Sequence, residues 1–190
     1  MTDEFALEFK RQAVHLLVGL FEAMLVFILK PAIGVYVLTP IAATILFLYY
    51  APRIGAHLPG ISHLITHFER EKDVKKFPFK GALLFNVGII VPVALLETRT
   101  ACTVITVLAC GDAASTLVGK FWGTPRINGK SIEGFVAFIA AAYGGALLFT
   151  VPETAFMFAL IGGFVELFFK VDDNLSIPIS LTGAAVLTGL

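Results

Sequence analysis

Seven apolar runs divide the chain at 12–29, 32–50, 81–96, 101–118, 134–150, 154–169 and 177–190, and the only charged residues inside them are Glu22, Asp112 and Glu166. Runs this pure suit a bilayer, whose hydrocarbon core of about 30 Å takes about 20 residues of helix. The expected fold is an all-α integral membrane protein: a single bundle of about seven transmembrane helices filling 1–190. Composition agrees, since the chain is 57% hydrophobic and 15% charged, whereas soluble domains carry about 25% charged residues. The run 177–190 is short for a full crossing.

The remaining stretches connect these runs. Met1–Arg11 reads as a short amphipathic helix, Lys30-Pro31 as a tight turn, and Pro40 as a kink in the second span. In the long polar segment 51–80, Ile61, Leu64, Ile65 and Phe68 recur at helical spacing, which predicts an amphipathic helix lying on the membrane. A glycine-rich loop runs from Gly119 to Glu133, and a short loop from Lys170 to Ser176. Lys and Arg gather on one side: Lys10 and Arg11; Arg53, Arg70, Lys72, Lys75, Lys76 and Lys80; Lys120, Arg126 and Lys130; and Lys170. The opposite side has only Lys30 and Arg99. This predicts a multi-pass protein of the cell membrane with its N-terminus in the cytoplasm. The net charge is zero, so nothing draws the chain to nucleic acid.

That topology gathers polar residues at one mouth. His15 and Asn86 stand near the cytoplasmic starts of two spans, and Asp112 and Glu166 in the later halves of two others. Asp112 is a carboxylate inside an apolar run, which is costly without a partner or a task. Ser115 and Gly119 share its helix face at i+3 and i+7. Above these residues lie Lys80, Lys130 between Gly129 and Ser131, and Asp172-Asp173-Asn174. Phosphoryl transfer needs acidic oxygens for a divalent metal, cations for phosphates, and a group to orient the attacking hydroxyl. Asp112, Glu166, Asp172 and Asp173 suit Mg2+; Lys130, with Lys10, Arg11 and Lys80, suits phosphate. The plainer reading makes Asp172 and Asp173 ordinary helix-start acids.

Three other features carry less. Gly129-Lys130-Ser131 resembles the end of a P-loop, but the spacing to Gly123 is wrong and no strand precedes it. His63 and His67 lack the glutamate of a zinc-protease helix and fit an interfacial helix. Cys102 and Cys110 stand roughly 12 Å apart along a helix, too far to bridge, and read as free thiols.

Four blocks resemble the polyprenol kinase family, which includes dolichol kinases, phytol kinases and CTP-dependent diacylglycerol kinases. They are Glu8 to Arg11 with His15 and Gly19; Phe79 to Ala82 with Asn86 and Gly88; Gly111-Asp112 through Gly119, Gly123, Gly129-Lys130-Ser131 and Glu133-Gly134; and Glu166 with Asp172 to Leu175 and Pro178. The resemblance implies transfer of the γ-phosphate of CTP, with Mg2+, to a membrane lipid alcohol such as dolichol, polyprenol, geranylgeraniol or phytol. It implies catalytic roles for Asp112, Lys130 and Glu166. CTP phosphates would lie near Lys80, Gly119, Gly123, Gly129, Lys130, Ser131 and Glu133, and metal near Asp112, Asp172 and Asp173. Arg11, His15, Asn86, Ser115 and Asn174 are further site candidates. The chain lacks the extra N-terminal spans of eukaryotic dolichol kinases and looks like a short prokaryotic, archaeal-type member. A cytidylyltransferase acting on a lipid phosphate would use similar groups, and a small ion-coupled transporter would use Asp112 and Glu166 as carriers.

Overall fold

The computed structural model describes residues 3–55, 59–69, 74, 76–124 and 126–190. Arg70, Lys72 and Lys75 of the basic segment lie outside the described residues. The chain is helical almost throughout. In order it forms α1 (Asp3–Ile33), a 3-10 turn (Gly34–Val37), α2 (Leu38–Ile54), α3 (Pro59–Phe68), α4 (Lys80–Leu95) and α5 (Thr98–Phe121). A small hairpin follows, β1 (Arg126–Ile127) and β2 (Lys130–Ser131), and then α6 (Ile132–Ala146), α7 (Pro152–Phe168) and α8 (Asp173–Thr188).

Two proline expectations need correction. No tight turn forms at Lys30-Pro31: α1 runs from Asp3 through Pro31 to Ile33. Gly34, at φ +59°, makes the break three residues later, in a conformation that side chains oppose. Residues 3–11 are therefore part of α1 and form no separate helix. Pro40 does not kink a span either, because α2 begins at Leu38. Proline sits in its first turn, where its missing N–H costs nothing.

Among the described residues, two stretches are long and apolar enough to cross a membrane, Asp3–Ile54 and Thr98–Phe121. Helices α4, α6, α7 and α8 have 16, 15, 17 and 16 residues, less than the roughly 20 that an untilted crossing takes. Large apolar side chains nonetheless face outward, among them Leu17, Phe21 and Ile28 on α1, Phe47 on α2, Phe156 on α7 and Leu187 on α8. Such a surface suits lipid far better than water.

Helix α5 is the hub, packing against α1, α4, α6, α7 and α8. Its residues from Ala101 to Ala109 are all buried, as a helix surrounded on every side requires. Small residues set the spacing. A Cβ at Gly111 would stand 2.5 Å from the Phe138 ring of α6, and one at Gly88 would collide with the Asn174 carbonyl of α8. Cys102 and Cys110 are free thiols, and Cys102 donates to the Ala23 carbonyl across the α1–α5 contact at 3.2 Å.

Candidate functional site

The inner face of α1 supplies one wall. Glu8, Gln12, Gly19 and Glu22 are buried there at helical spacing, with His15 between them. At the outer end Glu8, only 1% exposed, holds Arg11 at 2.6 Å and Lys120 of α5 at 2.8 Å. One turn inward, His15 Nε2 faces Asp112 Oδ2 at 3.5 Å. The Phe85 ring of α4 meets the imidazole edge-on, its centroid 5.0 Å away, which fixes the ring's direction. Further in, Asn86 donates to the Ala82 carbonyl at 3.0 Å.

The opposite wall centres on Lys130. Asn128 and Gly129 take positive φ, 52° and 86°, the two-residue turn that Asn-Gly favours in hairpins. The antiparallel pairs Arg126–Ser131 and Ile127–Lys130 follow from it. From β2 the Lys130 ammonium reaches Glu166 of α7 at 2.8 Å and Asp173 of α8 at 2.5 Å. Burial works to lower its pKa, but Asp173 and Glu166 outweigh that and hold it above the ordinary lysine value. Burial pushes the Asp173 carboxyl up to about 7; Lys130 pulls against this, and Asp112 and Glu166 add repulsion. The cluster has more carboxylates than cations, so it keeps Lys130 charged and makes Asp173 slow to lose its proton.

The other expected residues take quieter positions. Asp172 caps α8, accepting from the Asn174 N–H at 3.2 Å and its side-chain amide at 3.1 Å. Lys80, largely exposed, stands 3.8 Å from Asp172. Ser131 caps α6 by accepting from the Gly134 N–H at 3.0 Å. Gly119, Gly123 and Gly134 close around the Ser131 hydroxyl. Glu133 clips Thr124 through its N–H at 3.1 Å and hydroxyl at 3.0 Å. Ser115 donates to the Asp112 carbonyl at 3.3 Å. These glycines and hydroxyls therefore build the loop that aims Lys130.

Among the described residues, no three His, Cys, Asp or Glu side chains close on one point as metal ligands would. The expected trio Asp112, Asp172 and Asp173 is split, with Asp172 on its cap and Asp173 on Lys130. Unpartnered buried atoms mark where more could bind: Gln12 Oε1, His15 Nε2, Glu22 Oε2, Asn86 Oδ1, Glu166 Oε2, Asn174 Oδ1 and Ser176 Oγ. Buried polar groups are nearly always satisfied. Five of these atoms are acceptor oxygens, so the interior is suited to cations and hydrogen-bond donors. Glu166 Oε2, beside Lys130, fits a divalent cation by this criterion.

The sequence reading gives Glu8 and Lys120 no role in the site: Glu8 appears only in the first family-like block and Lys120 only among the basic residues of the glycine-rich loop. The stripe from Glu8 through His15 to Glu22 becomes visible once α1 is continuous; a boundary after Arg11 hides it.

The chain is thus an all-helical protein with two membrane-length apolar stretches and a buried acidic–basic cluster at one end. It belongs to the family of the uncharacterized protein MJ1137 of Methanocaldococcus jannaschii, with which it is 32% identical over 178 residues, 90% of this chain and 88% of that one. It is also similar to the uncharacterized protein RP860 of Rickettsia prowazekii, 25% identical over 194 residues, covering 94% and 93% of the two chains. No protein-family model and no solved structure matches it.

Proposed function

We propose that the protein phosphorylates a membrane lipid alcohol at the cytoplasmic face, taking the γ-phosphate of CTP. The observation that carries this reading is the meeting of Asp112 with His15, close to Lys130 with Glu166 and Asp173, from α1, α5, β2, α7 and α8. Asp112 lies within electrostatic reach of Lys130, Glu166, Asp172 and Arg11, which supports reading the two groups as one site. Cytidine as the base, and a lipid alcohol as acceptor, rest on the resemblance to polyprenol kinases.

In this reading the remaining apolar helices complete a multi-pass bundle with the N-terminus in the cytoplasm. The 15–17-residue helices span by drawing in the bilayer around them. The lipid enters from the side and places its hydroxyl at Asp112. Asp112 takes the hydroxyl proton while His15 holds the carboxylate in place. The alcohol oxygen bonds to the γ-phosphorus, the bond from that phosphorus to the bridging oxygen breaks, and CDP leaves. Lys130 neutralises charge on the phosphates, and Lys80 and Arg11 extend the basic rim. Mg2+ held by Asp173 and Glu166 would supply further charge neutralisation.

The test is to incubate membranes containing the protein with CTP or ATP and farnesol, geranylgeraniol, phytol, dolichol or diacylglycerol, and to identify products by mass. A lipid monophosphate with CDP supports the reading. A CDP-lipid with pyrophosphate, or no product from any pair, rejects it.

A further inference from the structure

We infer that Glu166 and Asp173 form a divalent-cation site that the Lys130 ammonium fills as a built-in stand-in, and that Lys130 leaves it for phosphate when a metal–nucleotide complex arrives. The nucleotide half rests on the phosphotransfer reading above; the metal half stands without it.

Three observations carry the inference. First, the two carboxylates come from different helices and close on a single nitrogen, at 2.8 Å for Glu166 and 2.5 Å for Asp173. Divalent cations sit about 2.0–2.6 Å from carboxylate oxygens. A small inward shift therefore converts an ammonium pocket into a metal pocket. Second, Glu166 is 4% exposed and its Oε2 has no partner. Lys130 satisfies one of its two oxygens, whereas a metal can engage both. Third, the formal charges do not balance. Glu166 and Asp173 close on the single ammonium of Lys130, an excess of one formal negative charge, and Asp112 adds repulsion on Asp173 even though Arg11 also reaches Asp112. Lys120 does not alter this balance, since Glu8 and Glu4 both hold it, and Arg11 is itself paired with Glu8.

The lysine is also mounted to move. It projects from a hairpin with two-residue strands, and its side chain is one-third exposed. Lys130 itself is carried on no helix, whereas Glu166 and Asp173 belong to α7 and α8. The exchange couples two events: the carboxylates are freed for metal in the same motion that presents a cation to phosphate.

The test uses the full chain in detergent and Mn2+ alone, with bound metal read by electron paramagnetic resonance. A competitor that fills the site nine-tenths of the time weakens apparent affinity about tenfold. Lys130→Met is therefore expected to bind Mn2+ about tenfold more tightly than wild type, and Lys130→Met/Asp173→Asn to lose that gain. Equal affinity in a folded Lys130→Met overturns the inference. Should that variant not fold, the wild type carries the test through reductive methylation of lysines, read peptide by peptide. Lys130 is expected to react slowly without Mn2+ and faster with it; a rate unchanged at saturating Mn2+ overturns the inference. Metal-dependent release of Lys130 in a protein that transfers phosphate from no nucleotide leaves this inference standing and removes the phosphotransfer reading.

Discussion

His15 Nε2 stands 3.5 Å from Asp112 Oδ2 across the contact of α1 with α5, its ring held edge-on by Phe85. A ring held this way can steer the carboxylate without itself touching substrate. His15→Ala is expected to lower kcat about tenfold to a hundredfold with the lipid KM little changed. His15→Gln, which returns a donor near the Nε2 position, is expected to recover part of that loss. A purely structural role would lower the melting temperature and leave kcat per folded molecule unaltered.

The join between α4 and α8 depends on Gly88. An added methyl there would run into the Asn174 carbonyl, so Gly88→Ala is expected to cost about 1–3 kcal/mol. Gly144 has nothing within 4 Å of an added Cβ, and it lies inside α6. Gly144→Ala is therefore expected to stabilise by up to about 1 kcal/mol. Thermal loss of helical signal in detergent measures both.

Glu8 ties α1 to the end of α5 through Lys120 at 2.8 Å and holds Arg11 of its own helix at 2.6 Å. Removing the acid strands Arg11 and leaves Lys120 with Glu4 at 3.0 Å, although both cations can turn partly to water. Glu8→Ala is expected to cost about 2 kcal/mol. Lys120→Met leaves Arg11 on the acid and is expected to cost under about 1 kcal/mol. Equal losses in the two variants would argue against this division.

A pH dependence follows from Asp173. Burial raises its carboxyl to about 7, Lys130 opposes that rise, and Asp112 and Glu166 add to it. A carboxyl with a folded pKa above its unfolded value of about 3.9 costs stability as pH rises through the window between the two. Removing Lys130 removes the opposing charge and deepens the loss. The melting temperature of Lys130→Met is expected to fall further below wild type at pH 8 than at pH 5. A gap independent of pH would contradict the charge balance described for the cluster.

Much of the helical order is legible in the apolar runs, since each of the seven holds helix in the structure. The ends are less legible. Pro31 and Pro40 look like breaks, yet Pro40 falls in the first turn of α2, where proline is harmless, and Pro31 lies within the last turn of α1, which ends before Gly34 through backbone conformation. The Asn128-Gly129 turn is a recognisable hairpin signal, obscured by strands of only two residues. The acids at 166 and 173 are readable as a polar end of the bundle. Their closure on Lys130 is not, since that contact joins residues 36 and 43 positions apart through helix packing. Asp172 shows the reverse case: helix-start chemistry explains its place.

The central claim is that the mouth around Asp112 and Lys130 moves a phosphoryl group to a lipid alcohol. Its most direct test follows label from γ-labelled CTP into extracted lipid, using membranes that contain wild type or Asp112→Asn at equal folded abundance. The account predicts labelled lipid monophosphate from wild type and a drop of at least about a hundredfold in the variant. Undiminished labelling by Asp112→Asn, or no labelled lipid from wild type with any alcohol offered, would contradict it.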